Sequence, residues 1–461
     1  MPIGLVRTTA DCWCVCMSTP TTPARPATRT VAAVDQSRRA ARSGAASKVS
    51  DALALVRADV LVRELQDLLA VPSVTGSSAE SEAQHRMATR LQAVGMDTDL
   101  WSIDLPSTIA SPGFPGSEAP RDEAWGLVGA WGGNAGPSLV LNGHIDVVPP
   151  GEVGWTVGPW SGQVRDGRIF GRGACDMKAG LACQLVAVRA LRRAGVRLRG
   201  RVLLQSVVGE EDGGLGTFAT LQRGHTGDLA VICEPTSASL VTASAGALTF
   251  RLHVHGRSTH ASARLDGVDV LDKYLLIHTA LRRLEQRRNH APHPLMTGYR
   301  LPYPLSVGTL KAGDWASSVP DRLVAEGRLG VALGERVEDA RADLEHAVAE
   351  VCADDLWLSE HPARVSWWGG QFAPGEVDAT APVAQRVAAA HTAVHGAAPA
   401  VYGVPYGSDQ RLLTGGGIPT VLYGPGDVRH AHAPDESVAV AELVDVTRTL
   451  VHLIATTCGV S

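Results

Sequence analysis

The 461-residue sequence predicts an α/β protein whose main domain is interrupted by a smaller α+β domain. Three observations carry this reading. Short apolar runs bounded by glycine alternate with segments of helical periodicity. Several of those runs end in histidine or acidic residues. Between them, from about Ser244, apolar and polar residues alternate strictly, as in half-buried strands.

A chain of this length exceeds one ordinary core and implies two or so domains. With 45% hydrophobic and 19% charged residues, the composition is that of a soluble globular protein. A net charge of −5 gives no case for nucleic acid or a membrane surface as partner. No uninterrupted apolar run is long enough to span a bilayer. Eight cysteines do not make a disulfide framework at this length. Cys175, Cys183, Cys233, Cys352 and Cys458 are scattered among small and apolar residues, which fits reduced thiols in the cytoplasm. Cys12, Cys14 and Cys16 lack the spacing of a zinc knuckle.

Residues 1–50 are rich in Ala, Arg, Ser and Thr and show no apolar face, so a disordered N-terminal extension is expected. The first part of the main domain is read over residues 51–243. Val60, Leu61, Leu65, Leu68 and Leu69 recur at helical spacing until Pro72. A second helix runs from Glu80 to Val94. A strand near Leu100–Ile103 precedes an irregular Pro-, Ser- and Gly-rich loop over 106–120, and another strand covers Leu127–Trp131.

The run Leu139–Leu141 is then a buried strand, ending in Gly143-His144-Ile145-Asp146. On extended backbone His144 and Asp146 share a face, and a carboxylate can fix a metal-binding imidazole through its second ring nitrogen. A tryptophan-bearing loop leads to Gly171-Arg172-Gly173 and Asp176, where a helix starts and runs until Gly195. A carboxylate there is ordinarily an N-cap. The strand Arg201–Val208 ends in Gly209-Glu210-Glu211-Asp212, three adjacent carboxylates that repel unless solvent or a cation compensates. The strand Leu229–Ile232 ends in Cys233-Glu234-Pro235. Successive βα elements thus place acids and a histidine at strand carboxyl ends, where open α/β sheets bind ligands.

Residues 244–365 read as the inserted domain, in the order strand, helix, strand, strand, helix, strand, and residues 366–461 return to the main domain. The late loop from Gly424 to Ser437 carries His430 and His432 and follows another buried strand, Pro419–Leu422. Collected, His144, Asp146, Asp176, Glu210, Glu211, Glu234 and His432 suit two divalent ions of zinc type, with a carboxylate shared between them.

These residues resemble a zinc-dependent metallopeptidase family, that of acetylornithine deacetylase, succinyl-diaminopimelate desuccinylase, aminoacylase and glutamate carboxypeptidase. Five motifs carry the resemblance in order along residues 55–455. They are Gly143–Asp146, Gly171–Gly180, Glu210-Glu211, Glu234-Pro235, and His432 with Asp435-Glu436. The resemblance implies a mixed-sheet, phosphorylase/hydrolase-like catalytic domain with a ferredoxin-like lid and dimerisation domain. It implies His144, Asp176, Glu211, Glu234 and His432 as metal ligands, with Asp176 bridging. Asp146 would orient His144, and Glu210 would be the general base. His260, in the stretch Gly256–Ser262, matches a lid histidine that reaches a partner subunit's site. The ions would be two, zinc or alternatively cobalt, in a homodimer.

The chain departs from the family at its substrate end. Ser317 stands where an Asn is common before Pro320, and Gly330 where an Arg often holds a substrate carboxylate. Arg328 and Arg411 are the candidate replacements. The function expected is removal of an acyl group from an N-acylated amino acid or related amine. A dipeptidase or carboxypeptidase of the same family is the first alternative, and a non-catalytic homologue the second.

Overall fold

The computed structural model describes residues 44–461 apart from residue 153. For residues 1–43 the expectation of disorder lies outside the described residues. Residues 45–54 are helical, so a boundary at residue 50 cuts through a helix. Val49, Ala52 and Leu53, with Val56 just beyond, pack on the main core. So few apolar positions, straddling the boundary, do not stand out beside an Arg- and Ala-rich stretch.

The strands are β1 (Asp97–Ser102), β2 (Trp125–Gly132), β3 (Ser138–His144), β4 (Gln163–Arg165), β5 (Arg168–Phe170), β6 (Arg201–Val207), β7 (Leu229–Ile232) and β8 (Leu240–Ser244). They continue as β9 (Gly246–His255), β10 (Leu305–Ala312), β11 (Arg322–Val331), β12 (Arg364–Phe372), β13 (Gly375–Glu376), β14 (Val401–Val404), β15 (Thr420–Leu422) and β16 (Ser437–Ala439). Nine of them make one mixed sheet in the order β1-β2-β6-β3-β7-β15-β8-β13, with β14 on β8. Strand β3 is parallel to β6 and β7, and β15 is parallel to β7. The carboxyl ends of these four strands therefore open on one edge.

Strand β3 lies inside the sheet, and Leu139, Val140 and Leu141 have no exposure. Burial on both faces is why its sequence is a continuous apolar run and not an alternation. The helices Ala58–Leu69, Lys178–Arg193 and Val440–Cys458 pack on one another against this sheet. Strands β4 and β5 form a hairpin that β16 extends into a small third sheet. No helix among the described residues is long and apolar enough to cross a membrane.

Strands β9 to β12 form a separate four-stranded antiparallel sheet in the order β10-β11-β9-β12. With the helices Val270–Arg288 and Val337–Asp354 this is the βαββαβ order of a ferredoxin-like unit. Leu248, Phe250, Leu252 and Val254 on β9 are fully buried against those helices, in an apolar cluster separate from the main core. The chain returns to the main sheet through β13, which pairs with β8, so exit and re-entry are adjacent. Strand β12 belongs to the smaller sheet through Phe372. A return drawn at residue 366 therefore falls inside a strand.

Candidate active site

Asp176 stands at the centre of the site. One carboxylate oxygen lies 3.1 Å from His144 Nε2 and the other 3.4 Å from His432 Nε2. Glu234 Oε1 is 3.9 Å from His144 Nε2, and Glu211 Oε2 is 3.1 Å from His432 Nε2. Two ligand groups result, His144–Asp176–Glu234 and Asp176–Glu211–His432, each with one ligand atom per residue within 4.8 Å of the others. The strand-end residues expected to converge from positions 144 to 432 do so. His430 is exposed and stands outside both groups.

The three adjacent acids after β6 separate by direction. Glu211 turns to His432. Glu210 faces a cavity of about 560 Å³ and belongs to neither ligand group. Asp212 turns away, pairing with Arg121 at 2.8 Å and accepting from the main-chain N–H groups of Glu118 and Ala119 at 3.0 and 2.8 Å. One acid thus ties down the loop at 117–121, while two serve the site.

Asp146 acts differently from the sequence expectation. The main-chain carbonyl of Asp146, not its carboxylate, receives His144 Nδ1 at 2.9 Å. The carboxylate lies 3.7 Å from that nitrogen. It accepts instead from the hydroxyl of Thr75 at 2.9 Å and from the main-chain N–H groups of Glu210 and Glu211, each at 3.3 Å. The chain bends after β3, so the backbone oxygen reaches the ring first and the side chain is free to hold the glutamate turn.

A buried ion pair supports Asp176 from behind. Arg172 and Glu436 are 2.5 Å apart and essentially unexposed. The second oxygen of Glu436 accepts from the main-chain N–H groups of Cys175 and Asp176 at 2.8 and 3.0 Å. Segments 264 residues apart in sequence are joined there.

The electrostatics of the cluster favour positive charge. Burial pushes Glu234 well above the usual carboxylate range, and the Asp176 charge adds to it. Burial, Asp409 and neighbouring acids do the same to Glu210, and burial and Asp176 raise Glu211. Burial opposes protonation of His432, but Asp176 and Glu211 push it up to about 11. So many acids converge that both imidazoles are pushed toward their protonated form. Divalent cations would answer the same demand, and two imidazoles with three carboxylates fit zinc-type ions.

The cavity is also lined by Glu118, Arg328 and Phe372. Arg328 Nη2 sits 3.1 Å from Glu118 Oε1, which also accepts from Thr249 Oγ1 at 2.8 Å. Arg411 is not in the lining. Its guanidinium donates to the carbonyls of Ser408 and Gly213 at 2.7 and 2.6 Å and lies 3.9 Å from the centre of the Phe372 ring. Gly330 lines the cavity, but a Cβ there would meet Tyr303 Cα at 2.9 Å, which leaves no room for an arginine. His260 is exposed, pairs with Ser262 Oγ at 2.7 Å and does not line this cavity. Glu118, Phe372 and Tyr406 were not marked by the sequence reading. Glu118 sits in an irregular loop without periodicity, and Tyr406 had only the small residues around it, Gly403 to Ser408, as a signal.

The model of Peptidase family M20/M25/M40 matches residues 140–456. The chain is 29% identical over 425 residues to N-formyl-4-amino-5-aminomethyl-2-methylpyrimidine deformylase of Halalkalibacterium halodurans, covering 86% of this chain and 94% of that protein. It is 30% identical over 410 residues to succinyl-diaminopimelate desuccinylase of Gluconacetobacter diazotrophicus, covering 83% and 93%. The solved structure of the di-peptidase Dug1p from Saccharomyces cerevisiae shares the fold with a TM-score of 0.71 at 14% identity, over 88% of this chain and 98% of that one. With the match spanning β3 to the last helix, and so every residue of both ligand groups, the chain belongs to Peptidase family M20/M25/M40 and is a metal-dependent amidohydrolase.

Proposed function

We propose that this enzyme removes a small acyl group from an N-acylated amine, with Asp176 shared between two zinc ions. The observation that carries the reading is Glu210, buried, ligating in neither group, and facing the cavity beside both. His144, Asp176 and Glu234 would hold one ion, and Asp176, Glu211 and His432 the other. Bound there, the ions would supply Lewis-acid polarisation and a water acidified toward neutrality. Glu210 takes the proton of the attacking water and later delivers it to the leaving nitrogen. Asp146 keeps Glu210 and Glu211 pointed apart through their two N–H groups.

The substrate end favours an amine over a dipeptide. A free α-carboxylate calls for an unpaired cation, and the cavity's Arg328 is already joined to Glu118. The relatives are named for removing a formyl group from an aminomethylpyrimidine and a succinyl group from diaminopimelate, both acyl groups on nitrogen. We assign Arg328 to orienting the substrate's far end through Glu118, and Arg411 to backing Phe372.

We further propose a homodimer in which His260 serves the partner's cavity. Strand β10 is an edge strand, and Leu310, Leu265, Leu271, Leu275 and Trp315 on this smaller unit are exposed. Such an edge with apolar neighbours invites pairing. Cys175, Cys183, Cys233, Cys352 and Cys458 are free and buried, which supports the cytoplasm as location.

The test is a panel of N-formyl, N-acetyl and N-succinyl amines, the matching amino acids and dipeptides, run on protein of known metal content and mass in solution. Turnover of acyl amines above dipeptides is expected, from a dimer holding two zinc ions per chain. Preference for dipeptides, or a folded protein indifferent to chelators, would sink the proposal.

A further inference from the structure

A hydroxyl sealed from solvent without a partner costs about 1–3 kcal/mol relative to a satisfied one. A native fold keeps one for a reason, often a ligand. The hydroxyl of Tyr406 is of this kind, with no solvent access and no hydrogen-bond partner among the described residues. Its side chain lines the cavity together with Glu234 and Asp176. Tyr402, on the adjoining strand, uses its hydroxyl on the carbonyl of Thr236 at 3.1 Å.

The Tyr406 backbone is tightly held. Strand β14 pairs with β8, and the chain just past its end places the tyrosine in the cavity wall with Glu234 and Asp176. Next to it, a Cβ on Gly407 would meet Phe372 Cβ at 2.6 Å, so the turn is packed against that ring. Ser408 and Gln410 are buried and fastened to β8, the first to Ser244 Oγ at 3.2 Å and the second to the carbonyl of Thr242 at 3.1 Å. A phenol, with an ordinary pKa of about 10, keeps its proton at neutral pH and acts as a donor.

We propose that Tyr406 is a catalytic residue whose hydroxyl donates a hydrogen bond to the acyl oxygen of the substrate and holds the charge that oxygen gains. This rests on the deacylase reading. In the addition step the water oxygen bonds to the acyl carbon, and the carbonyl π pair moves onto the acyl oxygen. Glu210 takes the water's proton, and Tyr406 keeps its own. In the second step that pair re-forms the C=O bond, the C–N bond breaks, and the proton on Glu210 goes to the departing nitrogen. Tyr406 thus supplies from within the chain a donor that the exposed His260 does not bring to this cavity.

The experiment compares wild-type and Tyr406→Phe holoenzymes. Loss of one donor to an oxyanion lowers kcat by about 10²–10³-fold, with KM little changed. Independent of turnover, the affinity for methylphosphonate, a tetrahedral oxyanion, should fall about tenfold or more by calorimetry. Zinc content should hold and the melting temperature should hold or rise, because the substitution only removes an unpartnered hydroxyl. Unchanged methylphosphonate affinity overturns the proposal, as does weakening that comes with lost zinc or lost stability. Should the wild type hydrolyse nothing in the substrate panel, the deacylase reading fails, while the phosphonate comparison still decides whether Tyr406 contacts an oxyanion.

Discussion

Removing the carboxylate of Glu436 should weaken the site from a distance. Glu436→Ala leaves the Arg172 charge buried without its partner, and breaking a buried pair in this way costs about 3–5 kcal/mol. The N–H groups of Cys175 and Asp176 lose their acceptor as well, at about 1–3 kcal/mol each if water does not replace it. Against a total stability of about 5–15 kcal/mol, that variant should be largely unfolded. Glu436→Gln is the informative change. Its amide oxygen still accepts from both N–H groups while its NH2 faces Arg172, so the charge and the Arg172 hydrogen bond are lost, and destabilisation near the lower end, about 3 kcal/mol, is expected in urea unfolding. Because losing the Arg172 contact loosens the stretch that ends in Asp176, zinc affinity should fall by about 10–100-fold in competition with a chromogenic chelator. Adding Arg172→Met to Glu436→Gln should recover much of the stability, since no unpaired charge remains. A Glu436→Gln protein within about 1 kcal/mol of wild type, with unchanged zinc affinity, would refute the reasoning.

Glu210→Gln should lower turnover by about 10²–10⁴-fold while zinc content stays the same; loss of metal instead would make Glu210 a ligand. Stripping the ions should abolish activity and lower the melting temperature. Free metal at a thousandfold excess over its Kd contributes about 4 kcal/mol, and calorimetry with and without chelator reads the difference. His391 is buried, paired with Tyr423 Oη at 2.8 Å, and held below its usual 6.5 by burial and by His395. Its folded pKa is the lower one, so the unfolded chain binds the proton first and stability falls as pH drops below about 6.5. His391→Gln should flatten that fall, and parallel melting profiles for variant and wild type between about pH 7 and 5 would discard the assignment. In Gly180→Ala the new Cβ would lie 2.3 Å from the carbonyl oxygen of Cys233. A change that favours most helices by up to about 1 kcal/mol should here cost about 1–3 kcal/mol in urea unfolding.

The local periods of the chain determined a good part of this. The continuous run Leu139–Leu141 and the alternation of Leu248, Phe250, Leu252 and Val254 are direct consequences of two-sided and one-sided burial. That acids and histidines collect past the ends of β3, β6, β7 and β15 was legible because parallel strands end on one edge, while the resemblance alone picked out His144, Asp176, Glu211, Glu234 and His432 as ligands. The resemblance already separated Glu210 from Glu211, but only the tertiary structure turned Asp212 away to Arg121, since adjacent acids share one sequence signature and differ in where a turn points them. It also moved the Asp146 carboxylate from His144 to the glutamate turn, and spent Arg411 on two carbonyls while leaving Arg328 in the cavity. Glu118 and Tyr406 line one cavity although more than two hundred residues of chain lie between them. Periodicity acts over a few residues, whereas the direction of a turn and the partner of a buried charge are settled by packing between segments far apart in sequence.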